Sequence, residues 1–221
     1  MKNNSNKKNF DIPKIIGALT DNMNNIPTKV KNTINKCSIN TNFLPFQIES
    51  KFIKNTVDCM KLTDMHSLWI SEPFRTKIAK KLENLDKVAT ISGCVDCVIR
   101  EKKNFFGLDM LGNAIASWAD SHKTEDKTYR TIGKIPNLKS IKAGLESYGW
   151  TASKSDFSTL IVAGQINEGE KEKLKKMAAK LQLFVSTWEK NYTKLPSNIS
   201  KLNQRQFMDI FHRMSVEVLT S

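Results

Sequence analysis

The sequence predicts an all-α protein, with two small helical lobes behind a partly disordered N-terminal arm. Three observations lead there. From Phe43 onward, apolar residues recur mostly at three- to five-residue steps, as on one face of a helix. No segment alternates cleanly with a period of two, and no Asn-Gly or Asp-Gly pair marks a hairpin. Residues 1–42, by contrast, are rich in Asn and Lys and bury too little to offset the entropy of ordering them.

Residues 1–42 are read as the arm, 43–130 as an N-terminal lobe and 131–221 as a C-terminal lobe. Within the arm, seven lysines against Asp11 and Asp21 leave a charge of +5. Two apolar clusters, Ile12–Leu19 and Ile26–Ile34, are anchors that dock on the body or on a second copy of the chain. After Pro45, the spacing of Ile48, Phe52, Ile53, Val57 and Met60 predicts a helix. Ser71 caps the next one, with Pro73 in its first turn and Phe74, Ile78, Leu82 and Leu85 on one face. The run through Ile91, Val95 and Val98 suits either helix or strand. Leu108, Leu111, Ile115 and Trp118 give another helix, and the polar stretch from Asp120 to Pro136 separates the lobes.

In the second lobe, Leu138, Ile141, Leu145 and Tyr148 form a helix stopped by Gly149. Ser155 caps a short helix through Phe157, Leu160 and Ile161. The clearest pattern starts near Asn167, with Glu168 and Glu170 in a first turn that favours acids. It continues through Leu174, Met177, Leu181, Phe184 and Trp188. Pro196 breaks the chain before a last helix carrying Phe207, Ile210, Phe211, Met214 and Val218.

Charge supplies the functional expectation. The formal charge is +13, and 39% of residues are hydrophobic. Such an excess self-repels but speeds encounter with anionic partners. On a helix from Pro73 to about Lys87, Lys77, Lys80, Lys81 and Lys87 fall on one stripe about 120° wide, beside the apolar face. Their stems pack there while their ammonium groups reach phosphates. Arg100, Lys102 and Lys103 precede Phe105 and Phe106, which suits phosphate contact with base stacking. Arg130, Lys134, Lys139 and Lys142 run across the junction between the lobes. These eleven residues are the candidate nucleic-acid-binding set.

Catalytic signals are missing. No GxSxG, GxxxxGK[ST], HExxH or GxGxxG occurs, and His66, His122 and His212 have no local partner motif. Cys94-Val-Asp-Cys97 supplies half of a zinc site, which Cys59 and His66 upstream complete only arithmetically. No second paired motif exists, and both thiols sit in a Val/Ile-rich run that reads as core. No apolar run approaches the ~20 residues of a membrane span. The expectation is a non-enzymatic, cytoplasmic or virion-borne RNA-binding protein of nucleocapsid or coat type. It packages single-stranded RNA, self-assembles through residues 1–42, and needs no cofactor, metal or membrane insertion. The alternative is a helical adaptor or regulator whose ligand is another protein.

Overall fold

Parallel strands buried on both faces read in sequence as unbroken apolar runs, not as alternation, and the chain is built on such runs. The computed structural model describes residues 13–37, 41–122, 124, 126–133, 137–163, 167–177, 181–186 and 199–221. The fold is mixed α/β, which overturns the all-α expectation.

The first half runs β1 (Lys14–Thr20), α1 (Thr28–Cys37), β2 (Thr41–Gln47), α2 (Thr56–Leu62), β3 (Ser67–Ile70) and α3 (Arg75–Ala79). It continues with β4 (Asn84–Leu85), α4 (Lys87–Ser92), β5 (Cys97–Glu101), β6 (Asn104–Leu108) and α5 (Met110–Ser121). The six strands make one sheet in the order β2-β1-β3-β5-β6-β4. β1 pairs in parallel with both β2 and β3, whereas β3–β5 and β5–β6 are antiparallel. β1 is buried from Ile16 to Thr20, and all four residues of β3 are buried. The part of the predicted arm from Pro13 on therefore supplies an interior strand, and α1 packs beside it through buried Val30 and Ile34. Residues 1–12, and with them most of the arm's leading basic run, lie outside the described residues.

The second half runs β7 (Thr128–Gly133), α6 (Leu138–Ser147), β8 (Thr151–Ala152), β9 (Thr159–Ala163), α7 (Glu168–Met177), β10 (Leu183–Ser186), β11 (Ser200–Leu202) and α8 (Gln204–Thr220). Its five strands are all parallel, in the order β8-β7-β9-β10-β11. The helix expected through Leu160 and Ile161 is instead β9, whose Leu160, Ile161 and Val162 are fully buried. The helix expected from Asn167 to Trp188 ends at Met177, and β10 follows. Pro45 stands inside β2, an edge strand where its missing N–H is tolerated.

One apolar core joins the two sheets. Ile16, Trp69 and Cys97 of the first sheet belong to the same cluster as Tyr129, Ile161 and Leu183 of the second, with α5, α6 and α8 between them. α5 and α6 touch backbone to backbone: a Cβ on Gly144 would stand 2.1 Å from the Gly112 carbonyl oxygen. Glycine is needed at that crossing because nothing larger fits.

Candidate active site in the crevice between the sheets

Register places the first two residues of the site. β5 and β6 end on the pair Cys97 and Leu108. The next residues out, Asp96 and Asp109, thus meet at the open end of the hairpin. Asp109 caps α5 by accepting from the Gly112 N–H at 3.1 Å, and its other oxygen accepts from Ser92 Oγ at 2.6 Å. Asp96 accepts from the N–H groups of Met110 and Leu111 at 2.8 and 3.0 Å. Both carboxylates therefore serve the first turn of α5, where free N–H groups and the helix dipole favour negative charge.

The third residue arrives from the turn after β3. The Glu72–Pro73 peptide is cis, and the Val95 N–H donates to the Arg75 carbonyl at 3.1 Å, tying α3 to the loop before β5. The Arg75 side chain is only 4% exposed as a residue, yet it reaches five acceptors. Nη2 donates to Asp96 Oδ2 at 3.1 Å, Asp109 Oδ1 at 3.0 Å and Ser140 Oγ at 3.1 Å. Nη1 donates to Glu72 Oε1 at 3.2 Å and Asn137 Oδ1 at 2.9 Å. Asn137 and Ser140 belong to the start of α6, so one guanidinium links both halves of the chain.

These groups tune one another. Burial alone lowers the affinity of Arg75 for its proton, but attraction by Asp96, Asp109 and Glu72 outweighs it, and the pKa is raised. Burial pushes the Asp96 carboxyl up to about 7, with repulsion from Asp109 adding to it and Arg75 and the two α5 N–H groups opposing. A buried carboxyl near neutrality is a proton donor or acceptor at working pH. Arg75 remains a fixed cation.

Asp96 and Arg75 line a crevice of about 310 Å³ together with Trp69, Glu72, Leu111, Asn137, Met208, Phe211 and His212. Trp69 Nε1, Arg75 Nε and His212 Nε2 are buried atoms of these lining residues without a protein partner. Buried polar atoms are ordinarily paired; these three belong to residues around one crevice, but the atoms themselves are buried behind its wall. His212 is kept neutral by burial and by Lys29, which lower its pKa.

None of the ten described cations among the eleven predicted as the site lines this crevice. Lys77 lies on α3 and donates to Ser50 Oγ. Lys80 and Lys81 are exposed beyond the helix, and Lys87 opens α4 and donates to the Ser147 carbonyl at 3.0 Å. Because α3 stops at Ala79 and β4 intervenes, no single helix carries a stripe of the four. Arg100 pairs with Asp64 and lies over Phe105 at 5.8 Å, with Lys102 and Lys103 at the exposed hairpin turn. Arg130 on β7 donates to the Lys154 carbonyl at 2.7 Å and lies over Phe157. Lys139 and Lys142 sit on α6, and Lys134 is outside the described residues. Cys94 and Cys97 are buried, and among the described residues no group of three or more His, Cys, Asp or Glu is placed to hold a metal ion.

Sequence reading passed over Asp96 although it lies between those two cysteines. Asp109, two residues past Gly107, drew no attention for want of a motif. The available signal was two aspartates flanking a pair of apolar runs, which gains meaning only once those runs pair as strands.

No protein-family model matches the chain, and no curated protein matches it in sequence. Solved structures do resemble it. Shikimate 5-dehydrogenase from Listeria monocytogenes, in complex with shikimate and NAD, superposes with a TM-score of 0.69 at 16% identity, covering 94% of this chain and 92% of that one. A shikimate 5-dehydrogenase-like protein gives 0.71 at 13% identity, covering 96% and 93%. The 5-ketofructose reductase of a Gluconobacter strain gives 0.66 at 11% identity, covering 94% and 92%. The likeness establishes a dehydrogenase-like fold along nearly the whole chain. It removes the helical body on which the nucleocapsid reading, its single-stranded RNA partner, the adaptor alternative and the non-enzyme expectation all rested.

Folds of this kind hold dinucleotides where the order of a parallel sheet reverses, here between β7 and its neighbours β8 and β9. The turn after the first strand uses three glycines: to bend, to let backbone approach the diphosphate, and to pack helix on strand. Gly133 supplies the first, at φ 88°. Ile135 and Leu138 occupy the other two positions, and Ser153 stands about twenty residues on, where a carboxylate would hold the ribose. Asn137 and Ser140 at the start of α6 are already bonded to Arg75. These residues do not fit the glycine-rich way of holding a dinucleotide.

Proposed function

We propose that the protein is an enzyme acting on a hydroxyl or carbonyl group of a small molecule held in the crevice, an oxidoreductase by the class of its structural neighbours. The observation that carries this reading is the buried Asp96 carboxyl on the crevice wall, held by Arg75 Nη2 at 3.1 Å and pushed up by burial. Interconverting an alcohol and a carbonyl moves a proton to or from the substrate oxygen and a hydride to or from its carbon. Asp96 is the group placed to take or give the proton, and a nicotinamide dinucleotide would be the hydride partner that this reading requires. Arg75 holds Asp96 in place through Nη2.

Ile135 and Leu138, which stand in the sequence where the second and third glycines would fall, favour a second reading: acid–base chemistry at the same carboxyl without a dinucleotide, as in an isomerisation. One assay separates the two. Turnover of a panel of small alcohols and ketones is followed by nicotinamide absorbance with NADH or NADPH, and by product analysis without them. Dinucleotide-dependent turnover, lost in Asp96→Asn with circular dichroism unchanged, supports the oxidoreductase. Product formed without dinucleotide selects the second reading. Turnover that survives in Asp96→Asn sinks both.

A further inference from the structure

The charge balance of the crevice states what kind of ligand it takes. Four of the five Arg75 N–H groups are on Nη1 and Nη2, and these meet Glu72, Asn137, Asp96, Asp109 and Ser140. One positive charge is therefore set against Glu72, Asp109 and the titrating Asp96, and the remaining N–H, on Nε, is itself buried. The other lining residue able to carry positive charge is His212, which burial and Lys29 hold in its neutral form. Among the described residues lining the crevice, no cation is left to pair with an anion. Much of the remaining wall is apolar: Trp69, Leu111, Met208 and Phe211.

An anionic ligand would lose its hydration there and face net negative charge, both of which oppose binding. An uncharged group, in contrast, meets no such opposition and finds an apolar surface for the body that bears it. Resting on the reading of the crevice as the substrate site, we infer that it takes an uncharged alcohol or carbonyl compound with an apolar ring or chain and discriminates against carboxylic acids. This sets the chain apart from the neighbours named for shikimate, which is an acid.

The test is a matched pair of probes, shikimate and its methyl ester, which share a ring and differ in charge. Isothermal titration of the full chain is expected to give about tenfold tighter binding of the ester, since like charges in a partly desolvated site cost at least that factor. Glu72 has a side chain 54% exposed, so Glu72→Gln keeps the fold while removing one negative charge. It is expected to narrow the preference severalfold. Tighter binding of shikimate overturns the inference and leaves the crevice as a ligand site. An unchanged preference in Glu72→Gln overturns its electrostatic basis. Binding of neither probe overturns this inference and the reading beneath it together.

Discussion

Two helices begin within reach of the same guanidinium, and their N-termini are built in opposite ways. The start of α5 is closed by carboxylates: Asp109 caps it and Asp96 takes two more of its N–H groups. The start of α6 has no side-chain cap, and Asn137 turns its oxygen to Arg75 instead. The first end has its counter-charges built in and acts as an anchor. The second meets a cation at its positive pole, an arrangement that helix electrostatics disfavours and that is held only because α5's carboxylates neutralise Arg75 from the other side. One end is a structural fixture that also supplies the acid–base group, while the other is open.

Breaking the closed end should have the largest effect. Asp109→Ala removes a cap and leaves Arg75 and Ser92 short of a buried partner, so stability in denaturant titration should fall by about 3–5 kcal/mol. A loss under about 1 kcal/mol would mean that solvent reaches the cluster.

The pH dependence comes next. The Asp96 carboxyl has its ordinary value of 3.8 when unfolded and about 7 when folded. The native state therefore binds the extra proton between those values, and this contribution to stability is complete below the lower one and lost as pH rises through the upper. Denaturation midpoints measured at intervals across that window should decline, and Asp96→Asn should flatten the decline. An equal slope in the variant would assign the titration to another group.

Gly144→Ala should cost about 1–3 kcal/mol by forcing α5 and α6 apart, against a helix-propensity gain of at most about 1 kcal/mol. Thermal unfolding reads the difference, and a stabilised variant would contradict the close contact of the two helices. The smallest expected change is a slight loss. Asn137→Asp gives the start of α6 a carboxylate, worth about 0.5–1 kcal/mol, but sets it among Glu72, Asp96 and Asp109 around Arg75, so stability should fall slightly on balance. A stabilised variant would mean that Arg75 is not outweighed by its carboxylates.

How much of this was legible in the sequence differs by element. The helices around Leu111–Trp118, Leu138–Tyr148 and Phe207–Val218 show in the spacing because each packs one face and wets the other. The strands do not show. β3 is buried throughout and β9 carries three consecutive fully buried residues, so neither has the two-residue alternation that a half-exposed strand displays. Leu160 and Ile161 fit a helical spacing as readily as a strand, and only pairing with β7 and β10 decides it. Lysine spacing misled for a related reason: Lys77 to Lys87 share a stripe only if the backbone is one helix, and it is not. The site itself is assembled from Trp69, Arg75, Asp96, Asp109, Asn137 and His212, residues far apart in the chain, and no local pattern foreshadows such an assembly. The absence of GxGxxG, read from the sequence as one sign of a chain that is not an enzyme, bears only on how a dinucleotide could be held after β7.

The backbone contact between Gly112 and Gly144 has a consequence for how the chain can be cut. With α5 resting on α6 at that point, and Tyr129 sharing a core with Ile16, neither sheet is a module that can be excised or exchanged at the boundary near Ser121. Any transplant of the parallel sheet onto another partner must carry a helix that is smooth at the same place.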